Sequence, residues 1–515
     1  MLKLNALLLD QALAAIKTHG YGSFFPEPPE FNVVNDNWNQ LRDELADEDL
    51  DVYQGYEPIY LFAPKSRLNV RWVALLHPFD LIYYTALVLA LRDDISASRL
   101  PPGEERVFSY RAEGAEPGTL YKVKQDGFRN FKDRVAKRRE WNRNGFVGVA
   151  DIADFYPRIY QHRLKNALLA ASDRSKDDHI RVLEKFLTRF SEGRVSYGVP
   201  VGPAASRPLG EAVLIDIDST LLSYGIDFVR FVDDFVIFAD KPEEAGYGVR
   251  VLGETLFRNH GLSLQTSKTR VLPIGEYVEK HLTVHSEKEE ARRTLLSVFG
   301  SDYDVTTYND LTDEQKEEVD AFNLSEMLRE ALAQGEGVDF REVSFILGRL
   351  SVLQKPELIP IVLENLERLY PVAHSIASFF KGFLRLPPST RREVAEKLLG
   401  PMLGDRRSNP SEYYCMWTLS IFQHSRDWDH ADQLLAIFRE TNSDAIRRFA
   451  ALALATTGTR SQAMTVKEYV SQASPLCRTA ILLATARLGG DERAYLRKSL
   501  RLTDRLEKLC ANATI

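Results

Sequence analysis

Cysteine is scarce in this chain. Cys415, Cys477 and Cys510 are the only three among 515 residues, all late and widely spaced. They form neither a disulfide framework nor a zinc-ligand pattern, and a reducing cytoplasm is the expected setting. No apolar run is long enough to cross a bilayer, so no membrane span is expected. The opening "MLKLNALLLDQALAAIKTHG" lacks a small-residue cleavage site and places polar residues at helical spacing, which predicts an amphipathic helix and not a signal peptide. Positive charge is also in short supply. With 66 Lys+Arg against 73 Asp+Glu the net charge is −7, which argues against binding nucleic acid with the whole surface.

What remains is an ordinary globular composition, 44% hydrophobic and 27% charged, in a chain long enough for two or more domains. Up to about Asn69 an amphipathic helix, the Pro-rich turn "FFPEPPEF" and the acidic helix "LRDELADEDLDVY" alternate. The stretch "LLHPFDLIYYTALVLALRDDISASRL" predicts a helix opening at Pro78 with Asp80 near its N-terminus. From Val107 to Asp240 short strands, clearest in "NGFVGVADIADFY" and "DFVRFVDDFVIFA", alternate with helices, an α+β or α/β pattern. Beyond Pro273 a charged stretch, "HSEKEEARRTLLSVFGSDYDVTTYNDLTDEQKEEVD", leads into helix after helix. "YPVAHSIASFFKGFLRL", "PSEYYCMWTLSIFQHS", "SDAIRRFAALALATTG" and "SPLCRTAILLATARLGG" resemble one another, which predicts either a HEAT-like helical solenoid or an irregular bundle of similar helices.

Charge is unevenly spread. "YKVKQDGFRNFKDRVAKRREWNR", from Tyr121 to Arg143, holds nine Lys/Arg against three Asp/Glu, with Phe128, Phe131 and Trp141 interleaved. It reads either as a single-strand nucleic-acid contact, by phosphate neutralisation and base stacking, or as a solvated basic helix face.

Two acids stand inside the apolar run "FVRFVDDFVIFAD". Unpaired carboxylates there cost several kcal/mol, so Asp233 and Asp234 mark either a hairpin tip or a cation site. Upstream, the strand in "GFVGVADIADFYPRIY" ends at Asp151. Carboxylates at the ends of two strands can meet at one face of a sheet and hold Mg²⁺ or Mn²⁺, which prefer hard oxygen ligands. Between them "SYGVPVGPAASRPLGEAVL" is a Gly/Pro-rich loop opening into a helix, where Gly198 and Gly202 allow close backbone approach to a ligand. Downstream, "GLSLQTSKTRVLP" puts Lys268 after another short strand.

In order, "DIADFY", "GVPVGPAAS", "FVDD" and "LSLQTSK" resemble palm motifs A, B, C and D of reverse transcriptases, over roughly Arg71 to Pro273. The resemblance implies that Asp151 and Asp233 bind the metal ions, Asp234 plays a lesser catalytic part, Tyr156 packs under the sugar and selects deoxynucleotides, and Lys268 serves the leaving pyrophosphate. A palm followed by helical repeats is similar to the bacterial abortive-infection (Abi) polymerases, the group of AbiK and AbiA and their prophage-encoded relatives. That likeness implies a reverse transcriptase-like fingers and palm domain over 1–275 and an all-α helical-repeat domain over 276–515. It further implies untemplated DNA synthesis from dNTPs, priming by a protein tyrosine, single-stranded DNA covalently attached to the protein, a homo-oligomer, and phage resistance in the bacterial cytoplasm. On the same resemblance Lys65, Arg71 and Arg111 are candidates for the incoming triphosphate, or else for surface salt bridges, and Tyr21, in the glycine-flanked "HGYGSFF", reads either as the primer or as an ordinary turn tyrosine packing against Phe24. Val201 follows Pro200 where templated enzymes usually carry Gln, and no recognisable thumb, ribonuclease H, maturase or integrase pattern is present. Two other functions are consistent with the chain: templated copying of a partner non-coding RNA, and a non-catalytic helical-repeat adaptor that binds nucleic acid.

Overall fold

The computed structural model describes residues 1–66, 68–122, 127–142, 144–191, 196–282, 312, 314, 323–333, 340–353, 356–383, 386–404 and 410–514. The charged stretch from 285 to 320 lies outside them, residues 312 and 314 apart. Among the described residues the architecture is mixed, with helices accompanied by two small sheets. The strands are β1 Ile59–Pro64, β2 Val70–Leu75, β3 Phe146–Asp151, β4 Asp227–Phe231, β5 Asp234–Ala239 and β6 Arg270–Pro273. β1 and β2 pair with each other, and the other four form an antiparallel sheet in the order β4-β5-β3-β6.

Two compact units are present. The first comprises Met1–Gly22, Trp38–Pro58 and Ala74–Ser286, and the second Ser23–Asn37, Ile59–Val73 and Glu287–Ile515. The division is therefore not one cut at 275/276. Two short N-terminal segments fold with the C-terminal helices, and a buried ion pair explains one of them. Arg448 donates to both carboxylate oxygens of Glu30, at 2.5 and 2.8 Å, and Thr479 Oγ1 donates to Glu30 Oε1 at 2.6 Å.

In the first unit, alternation along the strands sorts side chains onto two faces. Val147 and Val149 of β3, Val229 and Phe231 of β4, and Val236 and Phe238 of β5 share one face. They pack against Phe131 and Val135 of helix Gly127–Trp141 and against Ile274, Tyr277 and Val278 of helix Ile274–His281. Helix Pro242–His260 covers the other face. Each buried valine contributes up to about 1.5–3 kcal/mol. A one-residue slip of β3 against β5 would turn these side chains to the wrong face, so the core itself enforces the register. Helix Pro78–Ala97, packed among other helices of this unit, is buried nearly all round. It opens where the sequence predicts, with Pro78 in the first turn and His77 Nδ1 accepting the Phe79 N–H at 3.3 Å.

In the second unit the helices Phe340–Leu353, Ala373–Lys381, Glu412–His424, Asp444–Thr457, Pro475–Ala484 and Arg505–Asn512 each pack on the next. Helices Ile359–Glu364, Pro388–Leu403, Ala431–Glu440 and Arg460–Val466 form a parallel succession. The three cysteines are buried and free. No helix among the described residues is long and apolar enough to cross a membrane.

Candidate active site

The sheet register brings the acids together. Asp151, last in β3, is the direct partner of Asp234, first in β5. Opposed side chains in an antiparallel pair leave the same face with Cβ atoms about 4.5–5.5 Å apart, and these two carboxyls lie within hydrogen-bonding reach. Asp233 is the second residue of the two-residue turn between β4 and β5. Its carbonyl accepts the Ile152 N–H at 3.2 Å, which ties the turn to the residue after Asp151. The Asp151 carbonyl accepts the Gln265 N–H at 2.7 Å, and Lys268 Nζ donates to Asp151 Oδ1 at 3.0 Å.

Three carboxylates stand close together here, with the Lys268 ammonium on Asp151. Surrounding protein first, then Asp233 and Asp151, push the Asp234 carboxyl up to about 7, with Lys268 pulling the other way. The side chain of Asp234 nonetheless keeps exposed surface. That surface decides whether a ligand can arrive, while the dense protein around it decides its ionisation. Among the described residues no three His, Cys, Asp or Glu side chains form a ready metal cage. The donor set still fits a hard divalent cation: it is all carboxylate, its members raise the energy of negative charge at Asp234, and a lysine ammonium already sits on one member. With its side chain 60% exposed, Lys268 can swing into solvent at little cost.

The glycine-rich loop closes on the same region. Gly198 N–H donates to the Ile159 carbonyl at 2.9 Å and Val199 N–H to that of Tyr156 at 3.0 Å. Gly198 and Gly202, at φ 102° and 126°, occupy backbone regions open to glycine. The loop feeds helix Ser206–Val213, whose Gly210 lies against Tyr156: a Cβ there would fall 2.9 Å from Tyr156 Cε1. Burial holds the Tyr156 phenol well above its usual range, so it stays neutral.

With this geometry in view, the chain can be set against known proteins. No protein-family model matches it, and no curated protein matches it in sequence. Among solved structures it is similar to telomerase from Candida albicans in complex with a fragment of telomeric RNA, at 13% identity and a TM-score of 0.32, over 76% of this chain and 62% of that one. Apo telomerase from Candida tropicalis gives 12% and 0.34, over 82% and 74%. The same enzyme with a telomeric RNA fragment gives 13% and 0.32, over 81% and 68%. This chain thus spans less than two thirds of the first of these. Identities and TM-scores this low leave the site to be read from its own residues.

The other sequence candidates lie elsewhere. Tyr21 is buried, and its hydroxyl both donates to the Leu76 carbonyl at 3.2 Å and accepts the Leu76 N–H at 3.1 Å. The expectation that it presents a primer hydroxyl is therefore corrected, since that hydroxyl is a structural group. Arg111 spends its guanidinium on the carbonyls of Leu100 and Val107, at 2.7 and 3.2 Å. Lys65 and Arg71 belong to the second unit, where Lys65 stands in the β1–β2 turn and Arg71 lies over the Phe24 ring at 5.6 Å. Most of the basic–aromatic stretch is helix Gly127–Trp141, residues 123–126 and 143 lying outside the described set. Its Phe131 belongs to the core, Lys132 lies over the ring of Phe128, and Arg134 and Arg138 pair with Glu105 and Asp227.

Sequence reading missed a buried polar cluster behind the acidic turn. Arg230, in β4, grips Asp218 through two bonds of 2.7 Å and Glu211 through one of 2.9 Å. Glu211 also meets Arg99 at 2.7 Å and accepts from Ser109 Oγ at 2.6 Å. An arginine in the middle of the otherwise apolar "FVRFV" was the available signal.

Proposed function

We propose that this chain is a nucleotidyltransferase of reverse transcriptase type that builds DNA from dNTPs. The observation that carries the reading is the β3–β5 register, which sets Asp151 against Asp234 beside the Asp233 turn. Asp151 and Asp233 would hold Mg²⁺ or Mn²⁺, with Asp234 alongside. When bound, the ions supply Lewis-acid charge for phosphoryl transfer. A primer hydroxyl attacks the α-phosphorus, the new P–O bond forms, the bond to the β-phosphate breaks, and the hydroxyl proton passes to water. Lys268 Nζ gives a proton to the departing pyrophosphate. Tyr156, neutral and packed on Gly210, screens the sugar for the absence of a 2′-hydroxyl.

Val201 in place of glutamine supports synthesis without a template, primed by a tyrosine of the protein other than Tyr21. The successive packing of similar C-terminal helices supports a HEAT-like array and, with it, a homo-oligomer. Abortive infection against phage in the bacterial cytoplasm is the setting that joins these features. Purified protein given Mg²⁺ and labelled dNTPs should gain a covalent, protease-sensitive DNA tail, with intact masses spaced by nucleotide increments. Absence of any tail would count against the proposal. Defined cDNA matching a co-purifying RNA would replace untemplated synthesis with templated copying.

A further inference from the structure

The turn that carries Asp233 is held in an unfavourable shape. Val232, the residue before Asp233, has φ 56°. A β-branched residue in the left-handed region is an outlier, and such strain persists only where surrounding structure over-determines it. The over-determination here can be traced bond by bond. Val232 N–H donates to Ser109 Oγ at 3.1 Å, and the Val232 carbonyl accepts from Arg230 Nη1 at 3.2 Å. Both partners converge on one buried carboxylate. Ser109 Oγ donates to Glu211 Oε1 at 2.6 Å, and Arg230 donates to Glu211 Oε2 at 2.9 Å. Arg99 completes the frame, meeting Glu211 at 2.7 Å and donating to the Ser109 carbonyl at 2.7 Å. Asp218 balances the Arg230 guanidinium. Ser109, Glu211, Asp218 and Arg230 are all buried.

Burying two guanidiniums and two carboxylates is a costly way to stabilise a fold, since an apolar core of equal volume often does as well. What an apolar core lacks is the ability to bind both peptide groups of one strained residue. We infer that Ser109, Glu211 and Arg230 are positioning residues, which hold Val232 left-handed and thereby aim the Asp233 carboxylate at Asp151. This rests on the assignment of Asp151 and Asp233 to nucleotidyl transfer and adds the parts that keep them aligned.

The test is a double-mutant cycle in the full chain with Ser109→Ala, Val232→Gly and the pair, each checked for folding by thermal unfolding. Glycine holds φ 56° without help, so the benefit of Ser109 should vanish in its presence. Ser109→Ala alone should lower kcat for dNTP incorporation about 10- to 100-fold with KM changed less than about twofold. In the Val232→Gly background the same change should cost less than about threefold, and Ser109→Thr should retain most of the activity. Ser109→Ala with wild-type kcat, or two losses that simply multiply, would overturn the inference. A parallel titration with Mn²⁺, followed by electron paramagnetic resonance, reads the alignment without catalysis: Ser109→Ala should weaken binding, and less so with glycine at 232. A wild type that binds Mn²⁺ but makes no DNA would remove the nucleotidyltransferase reading, while the titration still decides the positioning. Equal Mn²⁺ affinity in wild type and Ser109→Ala would overturn the positioning. No Mn²⁺ binding by wild type would overturn both.

Discussion

Two fully buried arginines, Arg230 in the sheet-bearing unit and Arg448 in the helical one, meet the same desolvation problem in different ways. Arg448 has one carboxylate partner, Glu30, far away in sequence, and its other acceptors are Thr479 Oγ1 and the Leu476 carbonyl. The Glu30 contacts fasten an N-terminal helix to a C-terminal one, and the other two join neighbouring C-terminal helices. Arg230 instead shares Glu211 with Arg99, holds Asp218 by itself, and extends to the backbone of a strained turn next to the candidate catalytic acids. Arg448 is a staple between distant segments, whereas Arg230 shapes a loop. Buried charge alone does not distinguish the two. The group at the far end of the network does.

The largest effect should fall where the Arg230 network ends. Asp233→Asn should lower DNA synthesis about 10³-fold or more, the scale expected when a charge-stabilising group is lost, while thermal unfolding stays near wild type. Next comes the staple. Arg448→Met strands Glu30 without its counter-charge and should cost about 3–5 kcal/mol in denaturant unfolding, much of which the pair Arg448→Met with Glu30→Leu should recover. Neither change should alter kcat per folded molecule, which is the sharpest contrast with Ser109→Ala.

A third test uses pH. Asp80 is buried, and that burial outweighs Arg189 at 3.0 Å and the Tyr56 N–H, raising its carboxyl to about 6. The folded chain therefore holds this proton more tightly than the unfolded one. Its contribution to stability is full below about 4 and is lost as pH rises through about 6, a change of about 2–3 kcal/mol. Asp80→Asn should flatten the stability curve over that window. The smallest effect belongs to the exposed Lys268, where Lys268→Met should cost about 10-fold in kcat, with stability within about 1 kcal/mol.

Much of the candidate site was legible because the apolar alternation of β3 and β5 fixes which residues face the core. Asp151 and Asp234 interrupt it at the strand ends, where a core has no use for carboxylates. The helix beginning at Pro78 was legible from local chemistry alone. The primer reading of Tyr21 fails because flanking glycines suggest exposure, whereas its hydroxyl is taken by the backbone of Leu76, far along the chain. The unit division escaped for the same reason. Nothing local to Glu30 announces a partner at Arg448. The Ser109–Glu211–Arg230 cluster escaped because its members come from three separate elements and only the folded sheet assembles them.

Crystals of the full chain grown with Mn²⁺ and a non-hydrolysable dNTP analogue, with anomalous scattering recorded at the manganese edge, test the central claim most directly. The expected result is an anomalous peak about 2.0–2.3 Å from carboxylate oxygens of Asp151 and Asp233, with Lys268 moved off Asp151 toward the triphosphate. A map with no peak there and the Lys268 ammonium still seated on Asp151 would contradict it.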